Sequence, residues 1–202
     1  LRGQELWDRW RPLEMRFRRE RLNLAQPESS PPFKSYEQAW RECFEAVFRD
    51  LGKGDALAAA RRCVADLGRR ELFPEVAGVI GRLRNTNRFH LGALSNSDND
   101  SLWPLLECHG LKFDTVVSSE SARAYKPHPL IFQLIMDALG ARAKACLFVG
   151  DSQFDDVQGA HSLGMKTAWV NRRKVARDPA LPAPDYEVAD LTGLLDILGL
   201  AK

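Results

Sequence analysis

The sequence predicts an α/β fold, a parallel sheet with helices on both faces, preceded by an all-helical domain. Three observations predict it. Up to about Leu72 the apolar residues recur only at helical spacing. Beyond Phe73, short apolar runs alternate with helical patterns, the signature of strands joined by crossover helices. The third of those runs, Cys146 to Val149, opens directly into the acidic stretch Gly150-Asp151-Ser152-Gln153-Phe154-Asp155-Asp156. The domains are placed at 1–72 and 73–202.

The helical part is read first. Leu6, Trp10, Leu13 and Phe17 line one face of a helix. Pro27 through Pro32 form a breaker-rich loop. Ser35 opens a second helix with Gln38 as its capping-box partner, and Tyr36, Trp40, Cys43, Phe44, Val47, Phe48 and Leu51 form its apolar face. Gly52 and Gly54 stop it. Asp55 caps a third helix, faced by Leu57, Ala60, Val64 and Leu67. The three helices are expected to pack as a small bundle, with the aromatic stripes as its core.

In the second part Pro74 fits the first turn of a helix faced by Val76, Val79, Ile80 and Leu83. Strands are expected at Leu91–Leu94, Asp114–Ser118, Cys146–Val149, Thr167–Val170 and Tyr186–Val188. Helices are expected at Leu102–Cys108, Pro129–Leu139, Val157–Leu163 and Leu191–Leu198. Ligands of such sheets bind beyond the carboxyl ends of the strands. That rule points to Ser95, Ser118 and Asp151.

Composition narrows the partners. Of 202 residues, 45% are hydrophobic and 28% charged, as in a globular chain, and the net charge of +2 calls for no nucleic acid. Arg16-Phe17-Arg18-Arg19-Glu20-Arg21 is the densest basic run and reads as a solvated helix face; Arg16, Arg18, Arg19 and Lys34 are candidates for substrate contact. No apolar run approaches the roughly 18 residues of a membrane span, and no signal-peptide pattern is present. The four cysteines, Cys43, Cys63, Cys108 and Cys146, lack metal-ligand spacing and read as reduced core thiols, which suggests the cytoplasm. A monomer or homodimer without membrane partners is expected.

Chemistry concentrates at three places. Asp151 lies just past an apolar strand and Asp156 begins the next helix, a spacing that can aim both carboxylates at one point. Hard oxygen ligands of this kind suit Mg²⁺, which keeps waters and accepts a substrate phosphate oxygen. Either Asp155 or Asp156 can instead cap the helix. Ser95 and Asn96 end the first strand, where a hydroxyl and free amides make an anion pocket. Lys126 stands in Tyr125-Lys126-Pro127-His128-Pro129, on a loop stiffened by two prolines.

Taken together, Leu94-Ser95-Asn96, Lys126-Pro127-His128-Pro129, and Val149-Gly150-Asp151-Ser152 with Asp156-Val157 and Gly159 to Met165 resemble the second, third and fourth motifs of the haloacid dehalogenase (HAD)-like hydrolases. The resemblance spans about Phe73 to Asn171. It implies a Rossmann-like core with a helical cap. It assigns Ser95 and Lys126 catalytic roles, with Ser95, Asn96 and Lys126 binding the phosphoryl group and Asp151 and Asp156 serving Mg²⁺. The Gly150-Asp151-Ser152 form resembles the phosphatase branch, so the implied activity is Mg²⁺-dependent hydrolysis of a small phosphorylated metabolite through an aspartyl-phosphate. The alternatives are an inactive binding or interaction protein and a haloacid dehalogenase.

One motif of that family is not found. Its first motif is a strand ending in Asp-x-Asp, which supplies the nucleophile; Asp8, in Leu6-Trp7-Asp8-Arg9-Trp10, follows no apolar strand. Leu1 already stands in what reads as the first helix. Amino-terminal truncation is the favoured expectation and natural loss the alternative. The sheet is then expected to lack its central first strand, leaving a hydrogen-bond gap between the strands near Leu91 and Cys146. The 202-residue chain is expected not to hydrolyse para-nitrophenyl phosphate with Mg²⁺.

Overall fold

The computed structural model describes residues 3–201; Leu1 lies outside them. The chain divides into two compact units. The helical unit comprises residues 1–70, 95–108 and 118–125, and the sheet unit comprises 71–94, 109–117 and 126–202. The boundary expected at Leu72 falls at Arg70, and two later segments join the helices. Both additions have a packing reason. α5 (Asn99–Cys108) packs on α3 (Ala56–Leu67), and Tyr125 enters the helical core.

α1 (Gly3–Glu20) and α3 both pack on α2 (Tyr36–Leu51). The stripes read from the sequence form the core: Trp10, Tyr36, Trp40, Cys43, Phe44, Val47, Ala60, Val64 and Tyr125 are buried together. Trp10 stacks on Phe44 at 5.5 Å between centroids, and Tyr36 meets Tyr125 edge-on at 5.3 Å. The capping box of α2 is formed: Gln38 N donates to Ser35 Oγ and Ser35 N to Gln38 Oε1. Gly52 ends α2 at φ +66°, a left-handed conformation in which a Cβ is strained. Asp55 caps α3 by accepting from Ala58 N. Glu14 was not singled out by pattern. It is buried on α1, and Arg18 donates to it one turn away.

The sheet unit opens with α4 (Val76–Asn85); Pro74 precedes this helix instead of standing in its first turn. β1 (Gly92–Ser95) pairs with β2 (Thr115–Ser118). The last residue of each strand, Ser95 and Ser118, belongs to the helical unit, as does the short α6 (Ser119–Ala122). α7 (Pro129–Leu139) follows, then β3 (Leu147–Gly150), a π-helical turn at Gln153–Gln158, and α8 (Gly159–Ser162). β4 (Lys166–Val170), β5 (Tyr186–Val188) and α9 (Gly193–Ile197) complete the chain.

β3, β4 and β5 make a parallel sheet in that order, in a register that sets Val149 against Ala168 and Trp169 against Glu187. β4 is central and buried after Lys166, whereas β3 is an edge and half-buried. Among the described residues, β1 and β3 lie in separate sheets. The cysteines are free. Cys43 is buried, but Cys108 is exposed, against the expectation of four core thiols: it is the last residue of α5, beyond the buried face of Ser101, Leu102 and Leu106. No helix among the described residues is long and apolar enough to cross a membrane.

Candidate active site

β3 delivers the chain to Gly150, and the turn after it is wound more loosely than an α-helix. Val157 N donates to Ser152 O at 3.2 Å, five residues back, and Asp156 N reaches the same carbonyl at 3.0 Å. Such π turns re-aim one side chain within an otherwise helical run. Here the side chain turned inward is Asp156, only 3% exposed. Ser152, not Asp155 or Asp156, caps the turn, its Oγ accepting from Asp155 N at 2.9 Å. Gly150 makes room for the carboxylate, since a Cβ there would lie 2.3 Å from the Asp156 carboxyl group.

The Asp156 carboxylate is engaged on both oxygens. Oδ1 accepts from Lys126 Nζ at 2.6 Å and Oδ2 from Ser152 N at 2.9 Å. The ammonium also donates to the Leu94 carbonyl at 3.3 Å and stands 5.5 Å from the Phe148 ring centroid. Lys126 therefore ties the end of β1 to the turn after β3. The pair is nearly dry, with side chains 12% and 4% exposed. A buried ion pair of this kind persists only when its remaining hydrogen-bonding capacity is also met. The proline-rich loop holds the lysine stem: Pro129 starts α7, and His128 Nδ1 accepts from Leu130 N at 3.1 Å as its cap. Behind it, Gly159 lets α8 approach; a Cβ there would fall 2.5 Å from the Phe132 ring.

The predicted site residues thus separate. Lys126 and Asp156 are brought together. Asp151 is exposed on the same turn, its carbonyl accepting from Trp169 Nε1 at 3.1 Å. Among the described residues no group of three or more His, Cys, Asp or Glu is placed to hold a metal. Of the expected metal pair, Asp156 is the counter-ion of Lys126 and buried, and Asp151 is exposed. Ser95 and Asn96 are half-buried in the loop leaving β1, in the helical unit.

Of the basic candidates, Arg16 pairs with Glu20 at 2.8 Å and Lys34 with Glu42 at 2.6 Å. Both line a cavity of about 290 Å³ in the helical unit, with Phe17, Phe33, Cys43 and Tyr125. Burial, helped by Glu14 and Glu42, pushes the Cys43 thiol up to about 11. Arg18 is spent on Glu14.

Like Glu14, one more buried carboxylate escapes the sequence pattern. Asp98, 3% exposed, accepts from Tyr36 N at 2.7 Å and Glu37 N at 2.8 Å. Its partners lie 62 and 61 residues away, so no local pattern announces it. Burial raises its pKa, opposed by the two amides and reinforced by Glu120 and Glu37.

The chain has counterparts among known proteins. The haloacid dehalogenase-like hydrolase family model matches residues 4–164. Haloacetate dehalogenase H-2 of Moraxella sp. (strain B) is 29% identical over 184 residues, covering 83% of this chain and 81% of the relative. A phosphoglycolate phosphatase of Salmonella choleraesuis (strain SC-B67) is 33% identical over 132 residues, 64% of this chain and 52% of the relative. The crystal structure of an L-2-haloacid dehalogenase superposes with a TM-score of 0.76 at 27% identity, covering 98% of this chain and 86% of the other. A family match over most of the described residues, on a fold that also superposes along nearly its whole length, settles the kinship: the chain belongs to the haloacid dehalogenase-like hydrolases.

Proposed function

We propose that the protein hydrolyses the phosphate ester of a small phosphorylated metabolite. The observation that carries this reading is the exposed Asp151 carboxylate at the end of β3, on the turn whose Asp156 holds the Lys126 ammonium. A carboxylate facing solvent beside a strand end suits a hard cation that keeps waters and takes a phosphate oxygen. Mg²⁺ held there by Asp151 would neutralise charge on the phosphoryl oxygens. Lys126, already fixed by Asp156 and Leu94 O, offers its charge without having to be ordered during the reaction. Ser95 and Asn96 would supply hydrogen bonds to the phosphoryl group. The phosphatase relative is consistent with this reading over the segment it shares. The attacking carboxylate is not assigned to any residue described here.

A second reading is displacement of halide from a short 2-haloacid. Overall similarity favours it more than the first, because the relative matched over most of the chain and the superposed structure are both dehalogenases. Two assays on the protein distinguish them. Phosphate release from phosphoglycolate, sugar phosphates and para-nitrophenyl phosphate is measured with Mg²⁺ and with chelator, beside halide release from chloroacetate and 2-chloropropionate. Phosphate release abolished by chelation and by Asp151→Ala is the expected result. Halide release that survives chelation, without phosphate release, overturns it in favour of the second reading.

A further inference from the structure

We propose that Asp98 is a positioning residue: by gripping the first two amides of α2 it fixes the loop that carries Ser95 and Asn96. This rests on those two residues serving the reaction, whichever leaving group is displaced. The loop leaving β1 has only three residues between Ser95 and Asn99, so an anchor at Asp98 constrains everything before it. The anchor is two-pronged, Oδ1 to Tyr36 N and Oδ2 to Glu37 N, and it acts on a helix start where unpaired amides and the helix dipole favour a carboxylate.

α2 does not need Asp98 in order to be capped. Ser35 and Gln38 already form its capping box, meeting the amides of Gln38 and Ser35. Asp98 takes the two amides between them. The carboxylate is thus supernumerary as a cap, and what it adds is a tie between the helix and the loop.

The rest of the loop is tied just as firmly. Ser119 Oγ donates to Ser97 O at 3.0 Å, and Ser101 Oγ donates to Asp98 O at 2.9 Å. Asn99 N donates to Glu120 Oε2 at 2.7 Å, and Ser118 Oγ donates to Asn99 Oδ1 at 2.7 Å. Ser101, Ser118 and Ser119 are at most 2% exposed. A buried network of this kind has one arrangement, and removing the Asp98 carboxylate leaves two helix amides without their acceptors.

The test compares two variants of the protein, Asp98→Asn and Ser35→Ala. Both weaken the start of α2, but only the first breaks one prong of the tie to the loop, because an asparagine NH2 cannot accept from a helix amide. With whichever substrate turns over, kcat is expected to fall at least tenfold in Asp98→Asn with KM changed less than threefold. In Ser35→Ala, kcat is expected to stay within twofold despite a lower Tm. Backbone amide shifts of Asn96 and Ser97 report the loop without any assay, and they are expected to move in Asp98→Asn alone. If these shifts and kcat stay as in the wild type in Asp98→Asn, the proposal is wrong. Equal losses of kcat in both variants also overturn it, making Asp98 an ordinary helix cap. Moved shifts with kcat unchanged would leave the tie intact and refute the role of Ser95 and Asn96 in the reaction.

Discussion

Two aspartates sit at corresponding points of the chain, each in the loop that follows a strand, and each is 3% exposed. Asp156, after β3, is met by an ammonium and one amide; Asp98, after β1, is met by two helix amides and, among the described residues, by no cation. The two solutions differ in what breaks them. A carboxylate opposed by a buried lysine is one half of a charge pair, and loss of either half strands the other in a dry place. A carboxylate opposed by amides leaves neutral groups behind. At these two carboxylates the sheet unit relies on charge pairing and the helical unit on hydrogen bonds from backbone amides.

The sharpest way to break this comparison is to remove the ammonium. Lys126→Met should cost about 3–5 kcal/mol of stability by leaving Asp156 uncompensated, read as a lower urea midpoint with unchanged slope. It should lower kcat by roughly 10²- to 10³-fold, the usual cost of removing one preorganised charge-stabilising donor. The double variant Lys126→Met, Asp156→Leu should recover part of the stability and none of the activity. If Lys126→Met alone is as stable as the wild type, the buried pair is not the fastening described here.

Next in size is Gly150→Ala, which places a Cβ 2.3 Å from the Asp156 carboxyl. The clash should cost about 1–3 kcal/mol and displace Asp156 from Lys126, so activity should fall together with stability. Gly78→Ala, where an added Cβ meets nothing within 4 Å, is its control and should be neutral or stabilising. Ser35→Ala should cost about 1 kcal/mol, the ordinary worth of an N-cap. Thermal melts of Ser35→Ala and Gly150→Ala rank the helix start against the site.

The smallest effect is a pH slope, and it has opposite signs in the two units. The Leu91 amide holds Asp114 below the usual carboxylate range, with Arg84 and His90 adding to this against a smaller desolvation cost. Its contribution to stability is present above the unfolded-state pKa and is lost as pH falls through the lower folded value. Burial raises Asp98, so its contribution is complete below the unfolded-state pKa and is lost as pH rises through the higher folded value. Relative to Asp114→Asn, the wild type should gain stability as pH rises toward the unfolded-state aspartate value of about 4; relative to Asp98→Asn, it should lose some as pH rises above that value. Chemical denaturation across that range measures both slopes, and slopes of the same sign would dissolve the contrast.

Much of this molecule is legible without its structure because the signals are local. The apolar stripes of α1, α2 and α3, the capping box at Ser35 and Gln38, Asp55 as a cap, and α7 from Pro129 to Leu139 are all set by residues within a few positions of each other. The order Ser95, Lys126, Asp151 likewise identifies the family. The turn after β3 was harder. Its length suggests an ordinary helix start capped by Asp155 or Asp156, whereas the chain winds there as a π turn with Asp156 paired to Lys126, 30 residues earlier.

The sequence by itself determined which segments are helix and strand and where Ser95, Lys126, Asp151 and Asp156 fall along the chain. Tertiary structure alone decided how the carboxylates are used. Asp156 meets Lys126 across 30 residues of chain, and Asp98 meets Tyr36 across 62. A cap or a stripe is read from its own neighbours, but a buried carboxylate takes its role from whichever donor the fold delivers. That selection is made by desolvation, which acts only once the chain has closed around the group.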